Sequence, residues 1–166
     1  MKRIALPLLL LCLLLWGCGS SGKEAVEFFY LRTSYVYGSE DGVIAAETRE
    51  HSGSLEYLLS LYLRGPLDDG LKSPFPAGCE ILEIRQERRS LRLTLDQSLG
   101  QLKDLDRTLA CACLARTCFG LTDVQEVWIS SGGPEESLFS ITISRDSLIL
   151  EDSSSLPAQT DPVESQ

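Results

Sequence analysis

The order in which strand-like and helix-like hydrophobic patterns follow one another constrains this fold more than any other feature of the chain. Apolar residues at positions 55, 58, 59 and 62 have the i, i+3, i+4, i+7 spacing of an amphipathic helix. Alternating or β-branched segments on either side of it are typical of strands. The full pattern predicts strands, a helix, two strands, a second helix and two further strands. We therefore expect an α+β fold in which two helices pack on a mostly antiparallel sheet.

The ends of the predicted helices carry recognisable signals. The first helix has Ser52 or Ser54 as a candidate N-cap. It ends at Gly65-Pro66, because glycine accepts the left-handed conformation and proline cannot continue a helix. The second helix, over 105–119, has Asp104 as a plausible N-cap. The remaining predicted elements are a loop over 67–78 and strands over 26–31, 35–37, 43–49, 82–84, 91–95, 124–129 and 138–143, of which the last four form two hairpins.

The N-terminal segment has the pattern of an export signal. Lys2 and Arg3 precede an apolar run of 13 residues, which is too short for a spanning helix because that needs about 20 residues. The run ends in Leu15-Trp16-Gly17-Cys18, which resembles a bacterial lipobox with a small residue before the cleavage point. We predict that Cys18 receives a lipid and anchors the protein to the membrane. The alternative is a cleaved secretory peptide in which Cys18 is incidental.

This segment sets the predicted domain organisation and the charge of the mature chain. We predict a signal peptide over 1–17, a lipidated cysteine and flexible tether over 18–24, a folded domain over 25–150 and a disordered acidic tail over 151–166. Loss of the two basic residues of the signal peptide changes the formal net charge from -9 to -11. Such a balance argues against nucleic acid as a partner, because phosphate binding needs clustered cations.

One basic cluster stands out in this acidic sequence. Arg85, Arg88, Arg89 and Arg92 lie on the predicted central hairpin. Arginines on a strand edge can simply be solvated and block the addition of another strand. They can also dock an acidic partner or a neighbouring subunit. We take these four arginines as the candidate docking site.

Four cysteines remain in the predicted domain, namely Cys79, Cys111, Cys113 and Cys118. On one helix Cys111 and Cys118 would lie about 10 Å apart along the axis, which is too far for a disulfide. A bridge is easy only if it involves Cys79 or a frayed helix end at Cys118. The interpretation we favour is four buried thiols that act as small hydrophobes.

The sequence carries no recognisable catalytic or metal-binding motif. His51 is the single histidine, which excludes a histidine-based triad or a multi-histidine metal site within one chain. No P-loop, dinucleotide-binding or metalloprotease motif is present. We therefore expect no cofactor, no bound metal and no enzymatic activity.

Two short motifs stand out around the first predicted helix. This helix ends in Leu63-Arg64-Gly65-Pro66, and the following loop contains Ser73-Pro74-Phe75-Pro76-Ala77-Gly78. Both motifs resemble those of the GerMN (sporulation and spore germination) domain. The alternating strand 91–95 and the helix that leads into 124–129 are also similar to that family. The resemblance spans about 26–143, although Asp96 stands where a serine is common in the family.

The resemblance implies an extracytoplasmic domain similar to ring-building modules, with no established enzymatic activity. We therefore expect a lipid-anchored protein on the extracytoplasmic face of a bacterial membrane, which docks an unknown envelope protein or self-associates, with a link to sporulation or germination. The alternative is a hydrolase or ligand-binding lipoprotein that acts on cell-wall material through carboxylates.

Overall fold

The structure, a computed structural model, describes residues 24–34, 42–132 and 139–148. None of the helices in these ranges is long and apolar enough to cross a membrane. The elements, in chain order, are β1 (Glu24–Arg32), β2 (Ile44–His51), α1 (Leu55–Leu63), β3 (Leu71–Lys72), β4 (Ile81–Glu87), β5 (Ser90–Leu95), α2 (Gln97–Gly100), α3 (Asp104–Leu121), β6 (Glu126–Ser131), β7 (Phe139–Ser144) and a 3-10 turn (Arg145–Leu148).

Some predicted features fall outside the described residues. They are the signal peptide with Cys18 and the tether, the strand over 35–37, the turn between the last two strands and the acidic tail over 151–166.

The strands form two sheets. Sheet 1 has the order β2-β1-β3, and sheet 2 has the order β4-β5-β6-β7. Four of the five strand pairings are antiparallel, and both predicted hairpins are present as the β4–β5 and β6–β7 pairs. The exception is the parallel β5–β6 pair, whose connection contains α2 and α3. The predicted α+β class and the mainly antiparallel pairing are confirmed, but the strands divide into two sheets.

Helix α3 explains this division, because it covers the edge of β1 where a further strand would otherwise pair. The Phe29 N–H donates to Thr117 Oγ1 at 3.0 Å. A Cβ atom built on Gly120 would lie 3.9 Å from the carbonyl oxygen of Glu27. The Arg116 guanidinium stacks 4.5 Å from the centroid of the Phe29 ring. Because the Thr117 side chain takes the place of a strand partner at Phe29, this edge of β1 pairs with a strand, β3, only at its end.

The core lies between the two sheets and the helices. Tyr62 of α1 is fully buried, stacks on Tyr30 at 5.0 Å between ring centroids, and donates its hydroxyl to the Phe29 carbonyl at 2.9 Å. The inward face of sheet 2 supplies the apolar residues Leu91, Leu93, Leu95, Val127 and Ile129, and α3 supplies Ala110, Cys111, Leu114, Ala115 and Cys118.

The two predicted helices are present, with one difference at a cap. Ser54 is the N-cap of α1, and its side chain accepts a hydrogen bond from the Tyr57 N–H. Asp104, the predicted cap of the second helix, is instead its first helical residue, and Lys103 occupies the N-cap without a side-chain hydrogen bond. Because Asp104 lies one position past the N-cap, its carboxylate is not placed to cap the helix and binds Arg107 at 2.6 Å instead.

Two short elements were not predicted. Helix α2 follows Asp96, which caps it by accepting a hydrogen bond from the Ser98 N–H. Strand β3 lies within the predicted loop 67–78 and pairs with the end of β1. Each element has four residues or fewer, which is too short to show a hydrophobic period.

A buried ion pair ties β2 to the end of α1. Arg49 is 9% exposed, binds Glu47 through its guanidinium, and donates to the Gly65 carbonyl at 2.8 Å. Glu47 in turn accepts the N–H groups of Leu67 and Asp68 at 2.8 and 2.9 Å. The pair therefore holds the turn that leads from α1 towards β3.

Substitution of Gly65 and Gly120 by alanine tests how the backbone conformation of each glycine affects stability. Gly65 ends α1 with a φ of 94°, whereas Gly120 lies inside α3. We expect Gly65→Ala to lower the free energy of unfolding by about 1 kcal/mol, because a Cβ atom disfavours the left-handed region. Gly120→Ala should raise it by roughly 0.5–1 kcal/mol, because the added Cβ meets only an ordinary contact. Urea unfolding measures both changes in the free energy of unfolding. If both substitutions stabilised the protein, or both destabilised it, the assigned conformations would be contradicted.

Candidate docking surface

The β4–β5 hairpin carries all four candidate arginines. The strands are joined by Arg88 and Arg89, and Arg88 is the one non-glycine residue with positive φ (52°) among the described residues. The Arg89 carbonyl accepts the N–H of Gln125 at 2.7 Å, which fixes the turn against the start of β6. Arg88 and Arg89 are both exposed.

The other two arginines lie side by side on the solvent-facing side of sheet 2. The strand register places Arg85 opposite Arg92, and Arg92 beside Trp128 of β6. The Arg92 guanidinium lies 5.7 Å from the Trp128 ring centroid, within the range of a cation–π contact. We call Arg85, Arg92 and Trp128 the arginine face, and Arg88 with Arg89 the arginine turn.

Their electrostatic settings differ. Arg85 binds Glu83 at 2.6 Å, and both side chains are largely exposed. Among the described residues, Arg88, Arg89 and Arg92 form no salt bridge. Because exposed pairs contribute only about 0–1 kcal/mol, an incoming carboxylate can compete for Arg85. The structure thus brings the four predicted residues together on one hairpin.

Sequence reasoning did not find Trp128 as part of this surface. Trp128 is 36 positions from Arg92, and the parallel β5–β6 pairing alone makes the two residues neighbours. The available signal was the alternation of β6, in which Trp128 stands between the apolar residues Val127 and Ile129 and so faces the other side of the strand.

A second concave feature lies beside β4 and was not predicted. This β4 groove, with a volume of about 850 Å³, runs between α1 and the outer edge of β4. Both motifs that carry the GerMN resemblance contribute to its lining, through Leu63 and Arg64 and through Pro76, Ala77 and Gly78.

The four cysteines are buried and free, as the favoured interpretation predicted. Burial raises the pKa of the Cys79 thiol to about 11 and that of the Cys111 and Cys113 thiols to about 12. Burial raises the pKa of Cys118 as well. No group of three or more potential metal ligands occurs within the described ranges.

The single histidine has a packing contact. His51 ends β2, is partly exposed, and its ring lies edge-on to Tyr57 at 6.5 Å between centroids.

Comparison with known proteins gives similarity in structure but not in sequence. No protein-family model matches the chain, and no curated protein sequence matches it. The fold is similar to the first GerMN domain of the sporulation protein GerM from Bacillus subtilis, with a TM-score of 0.56 and 16% identity over 74% of this chain and 98% of that domain. It is also similar to the tandem GerMN domains of the same protein, with a TM-score of 0.51 and 15% identity over 66% of this chain and 39% of the tandem.

Proposed function

We propose that this chain, which has the fold of a GerMN domain, is a lipid-anchored docking module on the extracytoplasmic face of a bacterial membrane. It binds an acidic surface of a partner protein and catalyses no reaction. The observation that carries the proposal is the placement of Arg85, Arg92 and Trp128 in adjacent register positions on the exposed side of sheet 2.

The chemistry of this surface suits protein recognition. Arginine and tryptophan are enriched among residues that dominate binding energy at protein interfaces. An arginine stacked on an aromatic ring is already oriented, so less rotamer entropy is lost when it binds a carboxylate. The chain has a formal net charge of -9, so most of its surface would repel an acidic partner. The arginine face would attract such a partner locally and so fix where it binds.

Cys18 supports membrane attachment as part of the proposal. Five residues lie between it and Glu24, the first residue of β1, so the domain would lie within about 20 Å of a lipid on Cys18. Since GerM is described as a sporulation protein, we include a role in envelope assembly during sporulation or germination.

A wall-directed hydrolase fits the site less well. A general acid needs a raised pKa near neutrality. Hydrogen bonds from its own backbone and from Ser54 lower the pKa of Glu56, which lines the β4 groove. At Asp96 burial opposes ionisation, but hydrogen bonds from Ser98 and Glu80 outweigh it and lower the pKa. These two carboxylates are therefore better suited to remaining charged than to donating a proton.

Charge reversal on the arginine face tests the proposal. We expect Arg85→Glu with Arg92→Glu to reduce crosslinking to the partner in native membranes by about tenfold, because attraction becomes repulsion. Lys72→Glu with Lys103→Glu is the matched control, since both lysines are exposed and lie outside the arginine face.

The outcomes separate docking from anchoring. Cys18→Ser should move the chain out of the membrane fraction, whereas the arginine variant should stay in it. Equal capture of every crosslinked partner by the arginine variant and the lysine control would refute the docking site.

A further inference from the structure

We propose that the β4 groove binds an extended peptide segment of another protein that alternates basic and apolar residues, and that this segment adds as a strand to the outer edge of β4. This site adjoins the arginine face through the Glu83–Arg85 ion pair but selects a ligand of the opposite charge.

The groove has two walls of different kinds. On one side α1 contributes a single stripe of residues at i, i+4, i+7 and i+8, namely Glu56, Ser60, Leu63 and Arg64. On the other side lie residues 81–84 of β4, and the floor is the loop that contains Phe75 and Pro76. A helix that faces an open strand edge across a groove is the geometry in which proteins accept an added peptide strand.

The outer edge of β4 has backbone N–H and C=O groups that do not pair with β5. Among the described residues β4 pairs only with β5, and it is an outer strand of sheet 2. The register with β5 shifts at a bulge between Ile81 and Glu83, and on either side of the bulge alternate residues direct their N–H and C=O groups away from the partner strand. A peptide laid in the groove would pair with these groups and place every second side chain towards α1.

The side chains around the groove define the class of peptide. Leu82 is 53% exposed and lies at the bulge between Ile81 and Glu83, so the edge is partly apolar. Three glutamates, Glu56, Glu80 and Glu83, line the groove with one cation, Arg64. Because Glu83 is paired with Arg85, Glu56 and Glu80 carry the charge that attracts a basic segment. A complementary segment therefore carries lysine or arginine between apolar residues.

This chemistry distinguishes a partner from a segment of the same chain. Residues 149–166, which follow the described part of the chain, contain acids and no lysine or arginine. Glu56 and Glu80 in the groove would repel these acidic residues. A basic segment of a different protein is the occupant that the charge favours.

Binding of designed peptides to the full chain in detergent tests the inference. The probes are two fluorescent nine-residue peptides in which valine alternates with lysine or with glutamate, and a third lysine peptide whose backbone is N-methylated at alternate residues. We expect the lysine peptide to bind at least tenfold more tightly than the other two. Anisotropy titration measures all three, and equal affinity of the methylated peptide would overturn strand addition.

Matched variants locate the site on the molecule. Glu56→Lys with Glu80→Lys should weaken the lysine peptide about tenfold, because two attractive charges become repulsive. Glu50→Lys with Asp106→Lys makes the same change of net charge at exposed positions outside the groove and should leave the affinity unchanged. Equal weakening by both pairs would show general attraction to an acidic protein and would refute the site.

A second pair tests the apolar contact. Leu82→Glu should reduce binding about tenfold, whereas Leu105→Glu, at a leucine that is 70% exposed elsewhere, should not. If the chain dimerises in sedimentation without peptide and Leu82→Glu abolishes the dimer, a second copy is the occupant and the inference is wrong. Arg92→Glu should leave peptide binding unchanged. The peptide experiment and the crosslinking experiment on the arginine face can therefore fail independently.

Discussion

Arg49→Met is expected to reduce the free energy of unfolding by roughly 3–5 kcal/mol, the range for breaking a buried ion pair by removing one partner. Both side chains are largely buried, at 8% exposure for Arg49 and 11% for Glu47. Removal of the guanidinium leaves the Glu47 carboxylate without its charge partner. It also leaves the Gly65 carbonyl without the donor that holds the end of α1.

A lysine at position 49 would not reproduce all the contacts of Arg49. Its guanidinium also lies 5.1 Å from the centroid of the Phe28 ring and donates to the Tyr30 hydroxyl at 3.4 Å. Tyr30 passes a hydrogen bond on to the Tyr62 carbonyl at 2.9 Å. A lysine provides the charge without the planar fork, so Arg49→Lys should recover only part of the stability.

Chemical denaturation of the single and double variants measures this interaction. Arg49→Met combined with Glu47→Leu should be more stable than Arg49→Met alone, because the unpaired charge is then removed. Arg116→Met is the control, since Arg116 stacks on a partly exposed phenylalanine and forms no salt bridge among the described residues. A loss below about 1 kcal/mol for Arg49→Met would contradict the assigned role.

The second large effect is a steep loss of stability in alkali. The thiols of Cys79, Cys111 and Cys113 have pKa values of about 11 to 12 in the folded protein, against 9.0 for an unperturbed thiol, because they are buried. Above pH 9 the unfolded chain loses these protons while the folded chain keeps them. The folded state then binds more protons, so the free energy of unfolding falls as pH rises.

The size of the effect follows from the number of thiols. Each contributes a little over 1 kcal/mol per pH unit between its unfolded and folded pKa values, so four buried thiols contribute roughly 5 kcal/mol per unit. Burial also raises the pKa of Tyr30 to about 12 and that of Tyr62 well above 10, which adds a loss of the same sign above pH 10. A typical domain, stable by about 5–15 kcal/mol, would unfold between about pH 10 and 11.

Circular dichroism during alkaline titration of a chain with Cys12→Ser and Cys18→Ser detects this transition. Cys113→Ala should reduce the slope by about one thiol's share, a little over 1 kcal/mol per pH unit. In the folded protein at pH 8 the four thiols should remain unmodified by a charged disulfide reagent until urea is added. Rapid modification without urea, or stability unchanged up to pH 11, would contradict the burial of the thiols.

Local patterns in the sequence were sufficient to predict much of this fold. The i, i+3, i+4, i+7 spacing of α1 and its Gly65 stop identify a helix, and the β4–β5 hairpin has a two-residue turn beside the alternating residues of β5. The candidate arginines lie within eight positions of one another, so a single hairpin determines where they go. Each of these features depends on residues close together in the chain.

The features that could not be predicted depend on distant residues. The β5–β6 pairing joins segments separated by two helices, and it creates the contact between Arg92 and Trp128. The position of α3 at the edge of β1 depends on a hydrogen bond between Phe29 and Thr117. Hydrophobic periodicity within a short segment carries no information about contacts between distant residues. For the same reason the β4 groove, built from α1 and β4, had no signal in the sequence.

The C-terminal end of α3 has a consequence for the spacing of the two proposed contacts. Gly120 lies beside Glu27 of β1, and Arg145 joins the Thr122 carbonyl to the segment that holds the Arg89 turn. The groove begins at Ile81, at the opposite end of the β4–β5 hairpin. A partner of the arginine turn and a peptide in the groove would therefore meet opposite ends of one hairpin, in whatever direction the tether holds the domain.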